Sequence, residues 1–251
     1  MKSLLAIRRR RSRSMAVPVS VPARAPIPAP AQTPDAALHA VQRLRYEVYC
    51  LEQRFVDAAR CTDGRESDDY DLHAIHFAAA TDRGEVVATL RLVLDSPLGF
   101  PLERYAAGLL DDRPDMERPR TGEVSRLIIA PRYRSATIRE PLILFGLLRH
   151  LYEESWRMGL DYWVAAMEVK LERLLRRLGF RFVPLGDPIN YFGQVTPYGA
   201  ALAAMRSGYK RILAYQRSCV GGGRPPFRYF RVSSAGLAAG RMGELVRRDC
   251  A

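Results

Sequence analysis

The order of elements after residue 73 leaves few folds open. AIHFAAATD, a turn at Arg83-Gly84 and EVVATLRLVL read as a β-hairpin, so the sheet begins antiparallel. GEVSRLIIAP then returns as a buried strand, LILFGLLRHLYEESWRMG as a helix ending near Gly159, and DYWVAAME as a short strand. VKLERLLRRLG follows as a helix closed by Gly179, and FRFVPLG as another strand. A hairpin followed by strand and helix in alternation predicts an α/β fold with a central mixed, twisted sheet flanked by helices. Upstream, Asp35 caps a helix AALHAVQRLRYEVYCLEQRF whose apolar face holds Leu38, Val41, Leu44, Val48 and Leu51. Between that helix and the hairpin, VDAARCTDGRESDDYDLHA is longer and more acidic than a plain connection needs to be.

The formal charge of +12 suggests a nucleic-acid partner until its distribution is considered. Residues 1–34 carry +7 and residues 205–251 carry +8, which leaves 35–204 at −3. A duplex-binding fold needs its positive charge on the folded face, so the pattern predicts an enzyme with basic appendages and disfavours nucleic acid. The expected organisation is a disordered basic and Pro/Ala-rich segment over 1–34, a folded domain over 35–215 and a basic C-terminal extension over 216–251. MKSLLAIRRRRSRSM reverses the order of charge and apolar core in a secretory signal. No apolar run approaches the roughly 20 residues that span a bilayer, so a cytoplasmic protein without a transmembrane segment is expected. Cys50, Cys61, Cys219 and Cys250 form no CxxC pair, and His39, His73, His76 and His150 lack zinc-site spacing; neither metal nor disulfide is expected.

Charges set inside apolar runs carry the chemistry. Glu123, Ser125 and Arg126 interrupt GEVSRLIIAP, Arg91 interrupts TLRL, and ESDDYD supplies Glu66, Asp68 and Asp71. On the first helix Arg45 and Tyr49 stand four apart on one face, and Phe55 follows ten residues after the arginine. Three acids so close repel one another, which raises at least one pKa unless cations such as Arg45 and Arg91 intervene. Two readings stay open: direct catalysis, and a salt-bridge lattice that fixes the loop against the sheet. Glu123 and Arg126 are three apart on one strand, so ideal alternation puts them on opposite faces unless a bulge intervenes.

In order and spacing these residues resemble the acyl-homoserine-lactone (autoinducer) synthases. The wording of LRYEVYCLE, DDYDLHAIHF and EVSRL is closer to their relatives, the N-acyl amino acid synthases, including the PEP-CTERM-exosortase-associated acyltransferases. LERLLRRLGFRFVPLG resembles the late helix-strand unit of the GNAT superfamily. The resemblance implies a GNAT-like acyltransferase fold and an N-acyltransferase. Such an enzyme moves a long-chain fatty acyl group from an acyl carrier protein, or CoA, to the amine of an amino acid. Phe55 stands where the autoinducer synthases usually carry Trp, and both tails are additions, which points away from a lactone product. A lactone synthase using S-adenosylmethionine is the alternative within the family, and a nucleic-acid-binding α/β scaffold the alternative outside it.

Under that resemblance Glu66 is the first candidate for the base that takes the ammonium proton, and Asp68, Asp71, Arg91, Glu123 and Arg126 complete the catalytic set. Arg45, Tyr49 and Phe55 are expected to bind substrate. Backbone amides near splayed central strands would hold the oxyanion. The pantetheine arm is expected at PRYRSATIREP, where Arg132, Arg134 and Arg139 replace the Gly-rich loop of acetyl-CoA enzymes. The acyl-phosphopantetheine thioester is then a co-substrate, with no permanently bound cofactor. Leu144, Leu147, Leu148 and Leu151, with the strand Trp163 to Ala166, either line an acyl tunnel or form plain core. The aromatic, basic stretch Arg224 to Arg231 is either a solvated tail with one strand against the domain or a docking surface; among the partners it suits, single-stranded nucleic acid, an anionic membrane surface and an acidic acyl carrier protein, the carrier is favoured.

Overall fold

Every position of the first two strands is buried, so both faces of the sheet must be covered. The structure, a computed structural model, describes residues 34–134, 139–220 and 226–233. Residues 1–33 of the expected N-terminal segment, Arg224 and the last part of the C-terminal extension lie outside the described residues. Among the described residues eight strands form the sheet: β1 (Ala74–Ala80), β2 (Val86–Leu94), β3 (Thr121–Ile129), β4 (Tyr162–Met167), β5 (Val183–Pro184), β6 (Ile189–Asn190), β7 (Gln194–Ala201) and β8 (Arg228–Ser233). Their order is β5-β7-β4-β3-β2-β1-β8, with β6 paired to β7. Of these described strands only β3 and β4 pair in parallel, as the expected hairpin and crossover require.

Alternation along β1 and β2 divides the core. Ile75, Phe77, Leu90, Leu92 and Leu94 pack beneath α2 (Arg139–Arg157) together with Leu144, Leu147, Leu148 and Leu151. Trp163 joins that cluster and donates its indole N–H to Ser155 Oγ at 2.9 Å. Ala74, Ala78 and Val93 face the other way, toward α1 (Pro34–Arg45) and the acidic loop. The helix faces considered for an acyl tunnel are therefore packed core.

Two sequence expectations change along the first helix and the late strands. α1 passes into a π-helical stretch over Tyr46–Glu52, where each residue turns the chain through a smaller angle. Val41, Leu44 and Val48 stay buried, but Leu51, expected on the same face, is 54% exposed. FRFVPLG yields only the two-residue β5, and the long β7 takes the place beside β4. Past residue 215, α4 (Arg206–Val220) continues and β8 pairs along β1, so part of the expected extension belongs to the sheet.

α3 (Val169–Leu178) ends at Gly179, as the sequence predicts, with φ of 93°. A Cβ there would lie 3.0 Å from the backbone nitrogen of Gly208, at the start of α4. Gly179→Ala is expected to lower stability by about 2–3 kcal/mol, since it adds a left-handed penalty to a clash that backbone cannot easily relieve. A shift of the urea unfolding midpoint at unchanged slope measures it.

Candidate active site

Two departures from regular strand geometry make the site. β3 and β4 pair only at Thr121–Tyr162, Gly122–Trp163 and Glu123–Val164. Beyond that point β3 continues to Ile129 and β4 to Met167 with no ladder between them among the described residues, so the sheet splays open with Glu123 at the apex. The second departure is a bulge. Thr89 and Arg91 of β2 oppose Ile128 and Ser125 of β3, so β3 holds one residue more than its partner. Arg126 absorbs it with φ of 54°, a left-handed conformation that is costly for arginine and is tolerated where surrounding contacts dictate it. The bulge turns Arg126 toward the face that already carries Glu123, Ser125 and Arg91, which alternation alone forbids.

On that face six of the expected site residues form a neutral lattice of three guanidiniums and three carboxylates. Arg45 donates from Nε to Glu66 at 2.5 Å and from Nη1 to both oxygens of Asp71, at 2.8 and 2.9 Å. Arg91 donates to Asp68 at 2.5 Å, Asp71 at 2.7 Å and Ser125 Oγ at 3.1 Å. Arg126 reaches Glu66 and Asp68, both at 3.0 Å. Arg45 and Arg91 are fully buried, and Glu66, Asp71 and Arg126 nearly so. Burial opposes the charge on Glu66, but Arg45 and Arg126 outweigh it and hold its pKa at about 2. Asp71 is likewise depressed well below the carboxylate range: burial works against its charge, and Arg45, His76 and Arg91 prevail. The repulsion expected among the acids is thus cancelled by cations, which keeps Glu66 ionised and makes it a weak proton acceptor. His76, fully buried 3.7 Å from Asp71, is pushed down to about 3 by burial and is neutral at ordinary pH.

Glu123 stands outside this lattice. It is 1% exposed and its Oε2 accepts the Leu102 backbone N–H at 2.8 Å, while Oε1 has no hydrogen-bond partner among the described residues. Burial raises its pKa to about 7, against the opposing pull of the Leu102 N–H, Arg91 and Arg126. It is the acid on this face whose protonation changes near neutral pH.

Aromatic rings cover the Arg126 side. The guanidinium lies 5.2 Å from the Tyr49 ring centroid and 5.8 Å from that of Phe192. Phe55 stacks on Phe192 at 5.8 Å and sits 6.0 Å from Tyr49. Phe192 and Tyr191 form the tip of the β6–β7 hairpin, and Tyr191 stacks on Tyr105 at 4.2 Å. Burial pushes the Tyr191 phenol up to about 12, so it stays protonated. The sequence reading passed over Tyr191, Phe192 and the Leu102 amide; the signal for the first two was an aromatic pair directly before a glycine, in a turn where rings would otherwise be exposed.

The loop after β3 is already engaged where it is described. Arg132 pairs with Glu85 and lies over Tyr133, while Arg134 bonds Ile129 O and Glu52. The side chain of Arg139 and residues 135–138 lie outside the described residues. Among the described residues no helix is long and apolar enough to cross a membrane.

Residues 40–216 match the family described as N-acyl amino acid synthase FeeM. An acyl-homoserine-lactone synthase of Rhizobium radiobacter is 28% identical over 184 residues, 72% of this chain and 85% of that protein. Among solved structures, the AHL synthase LasI superposes with a TM-score of 0.59 at 20% identity, covering 71% of this chain and 90% of that one. The N-acyl amino acid synthase FeeM from uncultured soil microbes superposes at 0.51 and 16% identity, over 67% and 92%. The structural likenesses establish the expected mixed α/β fold.

Proposed function

Because the chain belongs to the N-acyl amino acid synthase FeeM family and is therefore an acyltransferase, we propose that it moves a long-chain acyl group from a phosphopantetheine thioester to the amine of an amino acid. The observation that carries the mechanism is Glu123, a buried carboxyl at the strand opening with a pKa near 7 and one oxygen without a partner. Its carboxylate takes the ammonium proton, the free amine attacks the thioester carbonyl, and the tetrahedral intermediate collapses with cleavage of the C–S bond to give the amide and the carrier thiol. Backbone amides of the splayed β3 and β4 are suited to hold the oxyanion. Glu66, Asp68, Asp71, Arg45 and Arg91 act as positioning groups that keep the face neutral and rigid. The base role thereby passes from Glu66 to Glu123, because Glu66 is held ionised by two guanidiniums. Arg126, whose Nε has no partner among the described residues, is available to the acceptor carboxylate, with Tyr49, Phe55 and Phe192 as the neighbouring apolar wall.

A carrier-protein donor is the favoured partner, because the loop after β3 lacks the Gly-rich form of acetyl-CoA enzymes and carries arginines instead. Arg132 and Arg134 would have to exchange Glu85 and Glu52 for its phosphate. Incubating the full chain with acyl carrier protein or CoA thioesters and mixed amino acids should yield linear N-acyl amino acids by mass spectrometry. A product that forms only with S-adenosylmethionine and carries a lactone ring would overturn this reading. Under saturating donor, kcat/KM for the acceptor should rise as pH increases through about 7, where Glu123 loses its proton.

A further inference from the structure

Two thiols meet beside the active site and take no part in the chemistry above. Cys50 lies in the π-helical stretch directly after Tyr49, the residue whose ring supports Arg126. Cys61 lies between the short helical turns that lead to Glu66. Both are free, and their sulfurs are 3.3 Å apart. That is van der Waals contact, and a bond of about 2.05 Å needs a further approach of little more than one ångström. Cys61 is partly exposed, whereas Cys50 is 4% exposed. Cys61 is therefore the thiol that an oxidant in solvent meets more readily.

We propose that Cys50 and Cys61 form a site of reversible oxidation that takes a low-molecular-weight disulfide and closes to an intramolecular disulfide. The Cys61 thiolate attacks one sulfur of the small disulfide, forming a mixed disulfide and expelling one thiol. Cys50 then attacks the Cys61 sulfur, gives up its proton and expels the second thiol. Two thiols of the protein are oxidised and the small disulfide is reduced to two thiols, so electrons and protons balance. Burial, reinforced by the neighbouring Cys61, raises the Cys50 pKa to about 12, which makes it the resolving partner rather than the first nucleophile. Once closed, the bridge ties the helix that carries Tyr49 to the segment that delivers Glu66.

Closure of the bridge is independent of which acceptor the enzyme uses and is read without measuring activity. Cys219 is exposed and Cys250 lies outside the described residues, so the full chain carrying Cys219→Ser and Cys250→Ser isolates the pair. Treating that folded protein with oxidised glutathione should remove both remaining thiols, lower the intact mass by two hydrogens and give a linked Cys50–Cys61 peptide that dithiothreitol releases. Adding Cys50→Ala should stop the reaction at a glutathione adduct on Cys61, and adding Cys61→Ser should leave Cys50 unmodified. A lasting glutathione adduct on Cys61 with Cys50 still titratable, a disulfide between two copies of the chain, or two unreacted thiols would each overturn the proposal.

Discussion

Glu123→Gln is expected to slow acyl transfer by about 10²–10⁴-fold, the usual contribution of a positioned general base, while making the protein more stable above neutral pH. The stability gain follows from the raised pKa. An unfolded glutamate releases its proton near pH 4.5, but Glu123 in the folded chain keeps its proton until about 7. The stability associated with the neutral carboxyl is therefore complete below pH 4.5 and is lost as pH rises through 7, where the folded state must bear a buried, poorly paired charge. Glutamine never ionises, and its amide oxygen can still accept the Leu102 N–H. The variant should exceed the parent above pH 7 by up to about 3 kcal/mol. His76, whose depressed pKa costs stability as pH falls below about 6.5, acts in the opposite direction in the same range, but it is present in both proteins and cancels in the difference. Paired urea denaturation at pH 5 and pH 8, with a progress curve for product at each, reads both effects. A purely structural Glu123 would lose stability and activity together.

Arg45→Ala should be the most damaging single change in the lattice. It leaves Glu66 and Asp71 buried with fewer partners, and breaking a buried pair in this way costs about 3–5 kcal/mol. The parent's depressed carboxylate pKa values fix the pH dependence. Their contribution is present above the ordinary values of 4.5 and 3.8 and is lost as pH falls through the folded values, so the deficit of the variant should be widest at neutral pH and narrow in acid. Arg45→Lys should recover only part of it, because one ammonium cannot reproduce the Nε bond to Glu66 together with the Nη1 bonds to Asp71. Urea midpoints at pH 7 and pH 3 test the pair, and a deficit below about 1 kcal/mol at pH 7 would place the lattice among weakly contributing surface pairs.

Most of this lattice was legible in the sequence because burial makes charge conspicuous. Arg91 within TLRL and Arg126 within EVSRL had to find partners, and the acids of ESDDYD were the available ones. The hairpin and the Gly179 stop were legible for the same kind of local reason: alternation in one, a backbone conformation suited to glycine in the other. What stayed hidden depends on register. A one-residue bulge at Arg126 leaves no mark in a two-residue period, yet it decides that two side chains share a face. The π-helical stretch likewise preserved the apolar spacing in the sequence while moving Leu51 into solvent. The choice between Glu66 and Glu123 also lay beyond reach, since it depends on which carboxylates the guanidiniums contact and which one they leave aside.

β8 has a consequence for how the chain reaches its folded state. The first strand of the sheet takes its outer neighbour from residues 228–233, near the end of the chain. During synthesis, β1 and β2 leave the ribosome long before that neighbour exists. A strand buried along its whole length in the finished protein spends that interval as an open apolar edge, the kind of template that pairs with other chains. Residues 228–233 thus determine when the nascent sheet ceases to be a hazard to its neighbours.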